Sequence, residues 1–102
     1  MPKRYAIAPE DIEPLVDGMG SCRASVQIAV EGRPVGVMYR EETEDTSDSG
    51  WRFQAAGEDE ADTIVDVNVI ANIDRSIVPY IDFPAGSKLV REGDQFVLVD
   101  GD

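Results

Sequence analysis

Twenty-one carboxylates and no histidine set the chemistry open to this chain. Imidazole is the side chain that titrates near neutrality, so its absence removes Ser-His-Asp and Cys-His nucleophile systems. It removes His-based zinc sites as well. Asp and Glu remain for acid–base work, and they are so many that no pair stands out. A glycosidase-type reaction needs two carboxyls facing each other across a cleft, and 102 residues leave little room for one. The chain is therefore expected to be no enzyme, with no catalytic residue and no cofactor. Cys22 stands alone, which excludes an internal disulfide and a multi-cysteine metal cluster. It is either a small packed residue or a thiol whose pKa is lowered by the adjacent Arg23.

The acidic residues cluster. Between 41 and 62 stand nine of them against one basic residue, Arg52. Glu41, Glu42, Glu44, Asp45 and Asp48 form one group, and Glu58, Asp59, Glu60 and Asp62 a second. Solvated loops are the plain interpretation. A docking surface for a basic partner is the functional one, because clustered charge accelerates encounter. Metal binding is the third. Asp45 to Gly50 places glycine at the sixth position of a calcium loop, but the twelfth needs a carboxylate and is Ala56. Asp59, Asp62 and Asp66 carry no further magnesium signature. No metal site is assigned. Arg40 and Arg52 flank the first group and are expected to pair with Asp48 or Glu58, holding the loops down. Trp51, Phe53 and Tyr39 are expected in the core, with an aromatic ligand cage as the alternative.

Size and charge bound the partners. The chain holds one domain. Its net charge of −12 repels phosphate backbones and anionic lipid surfaces. A protein partner is expected, with no nucleic acid and no membrane. The apolar stretch Tyr5–Ala8 is too short for a signal peptide, and no run approaches the ~20 residues of a membrane span. An unpaired thiol fits a reducing compartment, so a cytoplasmic location is expected.

These residues need elements to position them. Residues 1–21 read as an N-terminal lead-in, with at most a short helix around Glu10–Val16 because Pro14 interrupts it. Val26, Ile28 and Val30 alternate, as do Val35, Val37 and Tyr39, around Glu31-Gly-Arg-Pro34. This predicts a hairpin with all six residues facing one core. A polar loop over 41–49 leads into a strand bearing Trp51, Phe53 and Ala55 on one face. Thr63–Val67 is a further strand. From Asn68 the period becomes helical, and Asp74 is placed to cap a short helix holding Ile77, Val78 and Ile81. Lys88–Arg91 and Gln95–Val99 predict a last hairpin. The expected fold is α+β: a mainly antiparallel sheet of about five or six strands with short helices.

Val35-Gly-Val-Met-Tyr-Arg-Glu-Glu42, Asp48-Ser-Gly-Trp-Arg-Phe53, Gly57-Glu-Asp-Glu60 and Val69-Ile-Ala-Asn-Ile-Asp74 with Ile77-Val-Pro79 follow one another in that order. Together they resemble a bacterial family first catalogued as a domain of unknown function. It is now grouped with the immunity proteins of polymorphic toxin systems, as immunity protein family thirty-three. The likeness runs from about Ser21 to Phe96, and Tyr39, Arg40, Gly50, Trp51, Arg52 and Asn72 are its motif residues. Family members usually carry a longer insert before the Ile-Ala-Asn segment, where this chain has only Ala61–Asn68. The resemblance implies one immunity-type α+β domain over 22–102 that binds and neutralises a cognate toxin, with no catalytic residues. Acidic loops would suit a basic toxin. The residues alone leave open a small ligand-binding or regulatory domain.

Overall fold

The alternating segments in the second half of the chain form strands, as their spacing requires. A computed structural model describes residues 5–16, 19–57 and 60–99. Its strands are β1 (Ser21–Ala24), β2 (Val37–Arg40), β3 (Asp48–Gln54), β4 (Thr63–Asp66), β5 (Lys88–Glu92) and β6 (Gln95–Val99). Among the described residues they make one six-stranded sheet, ordered β4-β1-β3-β2-β5-β6. All neighbours are antiparallel except β1 and β3, which run parallel. Helices α1 (Val26–Ala29) and α2 (Val67–Ile73) join 3-10 turns at Pro9–Asp11 and Arg75–Tyr80. This is the expected α+β fold. No helix is long and apolar enough to cross a membrane among the described residues.

The helices cover one face of the sheet. From the strands, Cys22, Ala24, Met38, Trp51, Phe53 and Leu89 point toward them, all buried. Ile28, Val67, Ile70 and Ile77 fill the layer from the helical side. Trp51 and Phe53 stack with ring centroids 5.9 Å apart. The indole Nε1 of Trp51 donates to the Ile81 carbonyl at 2.9 Å, so its polar atom is satisfied inside the core.

Two polar joints tie the layers together. On α2, Asn68 and Asn72 lie one turn apart and both grip the extended N-terminal segment. Asn68 accepts from the Val16 N–H and donates to the Val16 carbonyl, both at 3.0 Å. Asn72 makes the same pair with Glu13, at 3.0 and 2.8 Å. The second joint is Asp74. Its carboxylate accepts from the Ser76 N–H, capping the 3-10 turn as its position predicts. It also accepts from the Val35 N–H at 2.9 Å and from Arg91 at 2.6 Å. Arg91 in turn donates to the Val35 carbonyl and lies over the Phe96 ring.

The expected hairpin at 26–39 is not formed. Val26–Ala29 is helix α1. Ser25 caps it, accepting from the Gln27 N–H at 3.0 Å. Gly32, at φ +78°, ends it: its N–H reaches the Ile28 carbonyl, and the Arg33 N–H reaches that of Gln27. The Gly32 bond is the αL closure of a helix end, with Pro34 following as a helix stop. Val26, Ile28 and Val30 therefore pair with no strand. The register of β2 also differs from expectation. Met38 faces the helices, while Val37 and Tyr39 are half-buried on the opposite side. The helix expected around Glu10–Val16 is a single 3-10 turn, Pro9–Asp11. Beyond it the backbone is taken by Asn68 and Asn72, and Pro14 keeps Glu13 out of helical geometry.

Trp51 is sealed against the Ile81 segment, so its removal tests how the layers cohere. Trp51→Ala should cost about 3–5 kcal/mol. Trp51→Phe should cost less, about 1–3 kcal/mol, because it leaves the Ile81 carbonyl unpaired. Urea unfolding followed by circular dichroism measures both.

Candidate functional site

Strand β3 separates the two acidic groups. The loop 41–47 precedes it and the segment 55–62 follows it. Seven residues at about 3.4 Å each put them about 20 Å apart. Glu41, Glu42, Glu44 and Asp45 share the first loop, and all four are exposed. Glu60 and Asp62 are exposed on the second segment. Glu58 and Asp59 lie outside the described residues.

The first loop has internal order. Asp45 accepts from the Ser47 N–H at 2.9 Å and from the Ser47 hydroxyl at 2.7 Å. Those two bonds hold its carboxyl below the usual carboxylate range. The Asp48 N–H returns to the Asp45 carbonyl. Gly50, at φ +86°, sits where the β1–β3 ladder slips register. A Cβ there would lie 2.2 Å from the Glu41 carbonyl oxygen, so only glycine fits this approach of loop and strand.

Arg52 anchors the loop from below. Its two terminal nitrogens donate to both oxygens of Asp48 at 3.1 Å, a bidentate pair. Its Nε donates to Glu41 at 3.1 Å. The expected Arg52–Asp48 pairing is present, and Asp48 is consequently half-buried and engaged. Arg40 behaves differently. It donates to the carbonyls of Ser49 and Phe83 and lies 5.7 Å from the Trp51 ring centroid. It holds the loop by backbone contacts, without a carboxylate among the described residues.

The helix-free face of the sheet carries a row that sequence analysis left unassembled. Register places Ile64, Arg23, Arg52, Tyr39, Lys88 and Val99 side by side across six strands. Arg23 drew notice only as the neighbour of Cys22, and Lys88 drew none. Strand alternation puts Lys88 on the face opposite Leu89, but the joining of β1 to β3 is long-range. An open groove of about 580 Å³ lies beside this row, lined by Tyr39, Gln54, Lys88, Glu41 and Glu42.

Cys22 points the other way. It is 1% exposed, and burial, the largest cause, pushes its thiol pKa well up, with the Asp66 charge adding to the effect. Arg52 opposes this without prevailing. The thiol is a packed core group. Asp66 accepts from the Asn68 N–H as the cap of α2. Among the described residues no group of three or more His, Cys, Asp or Glu is placed to hold a metal ion.

Two measurements follow from these environments. The Arg52 guanidinium beside Asp48 holds that carboxyl below its usual range, and the Gly50 N–H helps. The folded state therefore binds this proton less readily than the unfolded chain does. The resulting stability is complete above the ordinary carboxylate pKa, about 3.9, and is lost as pH falls through the lower folded value. The stability gap between wild type and Asp48→Asn should narrow as acid is added below about pH 4, read by urea unfolding at each pH. Cys22 should resist a disulfide-exchange reagent in the native protein and react within seconds in denaturant.

Neither curated proteins nor solved structures match the chain. The family described as the Immunity protein Imm33 domain matches residues 22–99, from the second residue of β1 to the end of β6. That span takes in the whole sheet, the Arg52 anchor and both acidic segments, and this chain belongs to the Imm33 family of immunity proteins.

Proposed function

We propose that this protein binds and neutralises a cognate bacterial toxin without performing chemistry, and that Glu41, Glu42, Glu44 and Asp45 make first contact with a basic toxin surface. Family membership carries this conclusion: it points to a toxin partner and a non-enzymatic role. The loop assignment rests on physical setting. Four carboxylates stand in water on a loop whose base is fixed by Arg52 and Arg40. Fixed charges of one sign steer an oppositely charged partner and raise its encounter rate. Glu60 and Asp62, at the far end of β3, are the second contact, and Glu58 and Asp59 belong to the same acidic group in the sequence. Asp48 supports the loop through Arg52.

Ligand binding in an enclosed site has less support. Trp51 is spent on packing and on the Ile81 carbonyl, and the groove beside Tyr39 is open to solvent. An inhibitor of this kind acts in the cytoplasm, where a thiol such as Cys22 stays reduced.

Neutralising the loop tests its role in encounter. E41Q/E42Q/E44Q/D45N removes four negative charges, taking −12 to −8. At low salt its association with the cognate toxin domain should slow about tenfold or more. Its rate should also depend less on ionic strength than that of the wild type. The unfolding midpoint should fall modestly, because Glu41 gives up its ion pair with Arg52 and Asp45 weakens its bonds to Ser47, while Glu42 and Glu44 are exposed. Stopped-flow mixing at two salt concentrations gives the rates. Identical kinetics for both proteins at both concentrations would remove this loop from the encounter.

A further inference from the structure

In so acidic a chain the cations are mostly spoken for. Among the described residues Arg33, Arg52, Arg75 and Arg91 each hold a carboxylate. Arg40 is taken up by two carbonyls. Arg23 and Lys88 are left, both exposed and without a hydrogen bond or ion pair among the described residues, although the Arg23 charge is near enough to Asp48 to help hold that carboxyl below its usual range. They stand on the same face of the sheet and in the same cross-strand row, with Arg52 and Tyr39 between them. Three strand spacings of about 4.8 Å set their backbones about 14 Å apart.

The surroundings of this row are apolar. The adjoining row runs Gln54, Val37, Val90, Val97, with the three valines partly open to solvent. Ile64 at one end is 64% exposed. A sheet face turned to water ordinarily presents polar side chains. This one presents valines, a tyrosine and two cations that hold no ion pair among the described residues, on a protein with carboxylates to spare. An apolar patch rimmed by charge marks a surface built to be covered.

We propose that the helix-free face is the seat of the toxin, which lies across the Arg23–Arg52–Tyr39–Lys88 row with one carboxylate opposite Arg23 and another opposite Lys88. This rests on the immunity function proposed above. The charge pattern selects the occupant. The acidic loop at the head of β3 attracts a basic protein, and that same protein would be repelled by Arg23 and Lys88 unless it offered carboxylates there. Opposite signs at fixed positions set orientation and reject partners that are merely basic. Size agrees. The five spacings of about 4.8 Å between six strands, and about five residues at 3.4 Å, project about 400 Å². A stable interface takes about 800 Å² from each side. The occupant must therefore overhang the sheet, and the 41–47 loop adjoins it at the Glu41–Arg52 contact.

The test sets net charge against local pattern. R23E/K88E takes the chain from −12 to −16, two units for each reversal. If acidity alone drew in a basic toxin, this variant would bind as well as wild type or better. The proposed seat requires the opposite: affinity for a catalytically silenced copy of the adjacently encoded toxin domain should fall at least about tenfold. R23Q/K88Q should weaken binding in the same direction. Both side chains are exposed, so circular dichroism should keep the wild-type signal, and R23Q/K88Q, which puts no new carboxylate beside Asp48, should keep the urea midpoint. Carbodiimide, which joins an amine to a carboxylate in contact with it, should link Lys88 to an acidic toxin residue. Equal or tighter binding of R23E/K88E overturns the seat and leaves the immunity function standing. Failure of the wild-type chain to bind that toxin domain overturns both.

Discussion

The ion pair between Asp74 and Arg91 is the joint on which this architecture depends. Asp74 ends α2, caps the 3-10 turn and fixes the chain just before β2, while Arg91 belongs to β5 and covers Phe96 of β6. One carboxylate thus locks the helical layer to the half of the sheet farthest from β1 and β4. Both side chains are largely withdrawn from water, at 11% and 20% exposure. Burial of two charges is favourable only when their remaining hydrogen-bonding capacity is met. Here it is met: the backbone of Val35 and the backbone and hydroxyl of Ser76 take up what the two charges leave. The amides Asn68 and Asn72 do comparable work for the N-terminal segment, pinning Val16 into the core.

Because these joints draw every described helix to one side, the other side of the sheet stays bare. That asymmetry links fold to function. The buried face is specified by packing around Trp51, Phe53 and Met38. Among the described residues no helix packs on the other face, so the residues it exposes are free to be chosen for something outside the chain. Strand β3 serves both. Alternation sends Trp51 and Phe53 into the core and Arg52 to the bare face, where its pairing with Asp48 and Glu41 shapes the acidic loop. The charges then sort by position: carboxylates on loops at the two ends of β3, unpaired cations in a row across the middle of the sheet. A protein that must recognise one partner tightly gains specificity from such a mixed pattern, which a uniformly acidic surface could not supply.

Much of this was legible in the residues, and the misses have local causes. Asp74 as a cap, Pro79 in a short turn and the 88–99 hairpin follow from side-chain chemistry within a few positions, and all are present. The pairing of Arg52 with Asp48 is four residues long in sequence and was equally accessible. Val26–Val30 was misassigned because three β-branched or branched residues at period two suit a strand, while the cap at Ser25, the glycine at 32 and the proline at 34 are also signals of a short helix. Here the capping signals outweigh side-chain propensity, since α1 buries Ile28 and Ala29 in the helical layer. The face of β2 was misassigned because Val37 and Tyr39 are as apolar as Met38; alternation alone could not say which set meets the helices.

By itself, then, the sequence determined the fold class, the family, the acidic loops and the impossibility of histidine chemistry or an internal disulfide, because each depends on composition or on short-range spacing. The tertiary structure alone decided that Ser21–Ala24 is an inner strand, that the 41–45 carboxylates and those of Glu60 and Asp62 stand at opposite ends of β3, and that Arg23 and Lys88 share a row. The reason is physical. Side chains separated by 65 positions become neighbours only through strand order and register, and these are set by how the helical layer closes on the sheet, which no local pattern records.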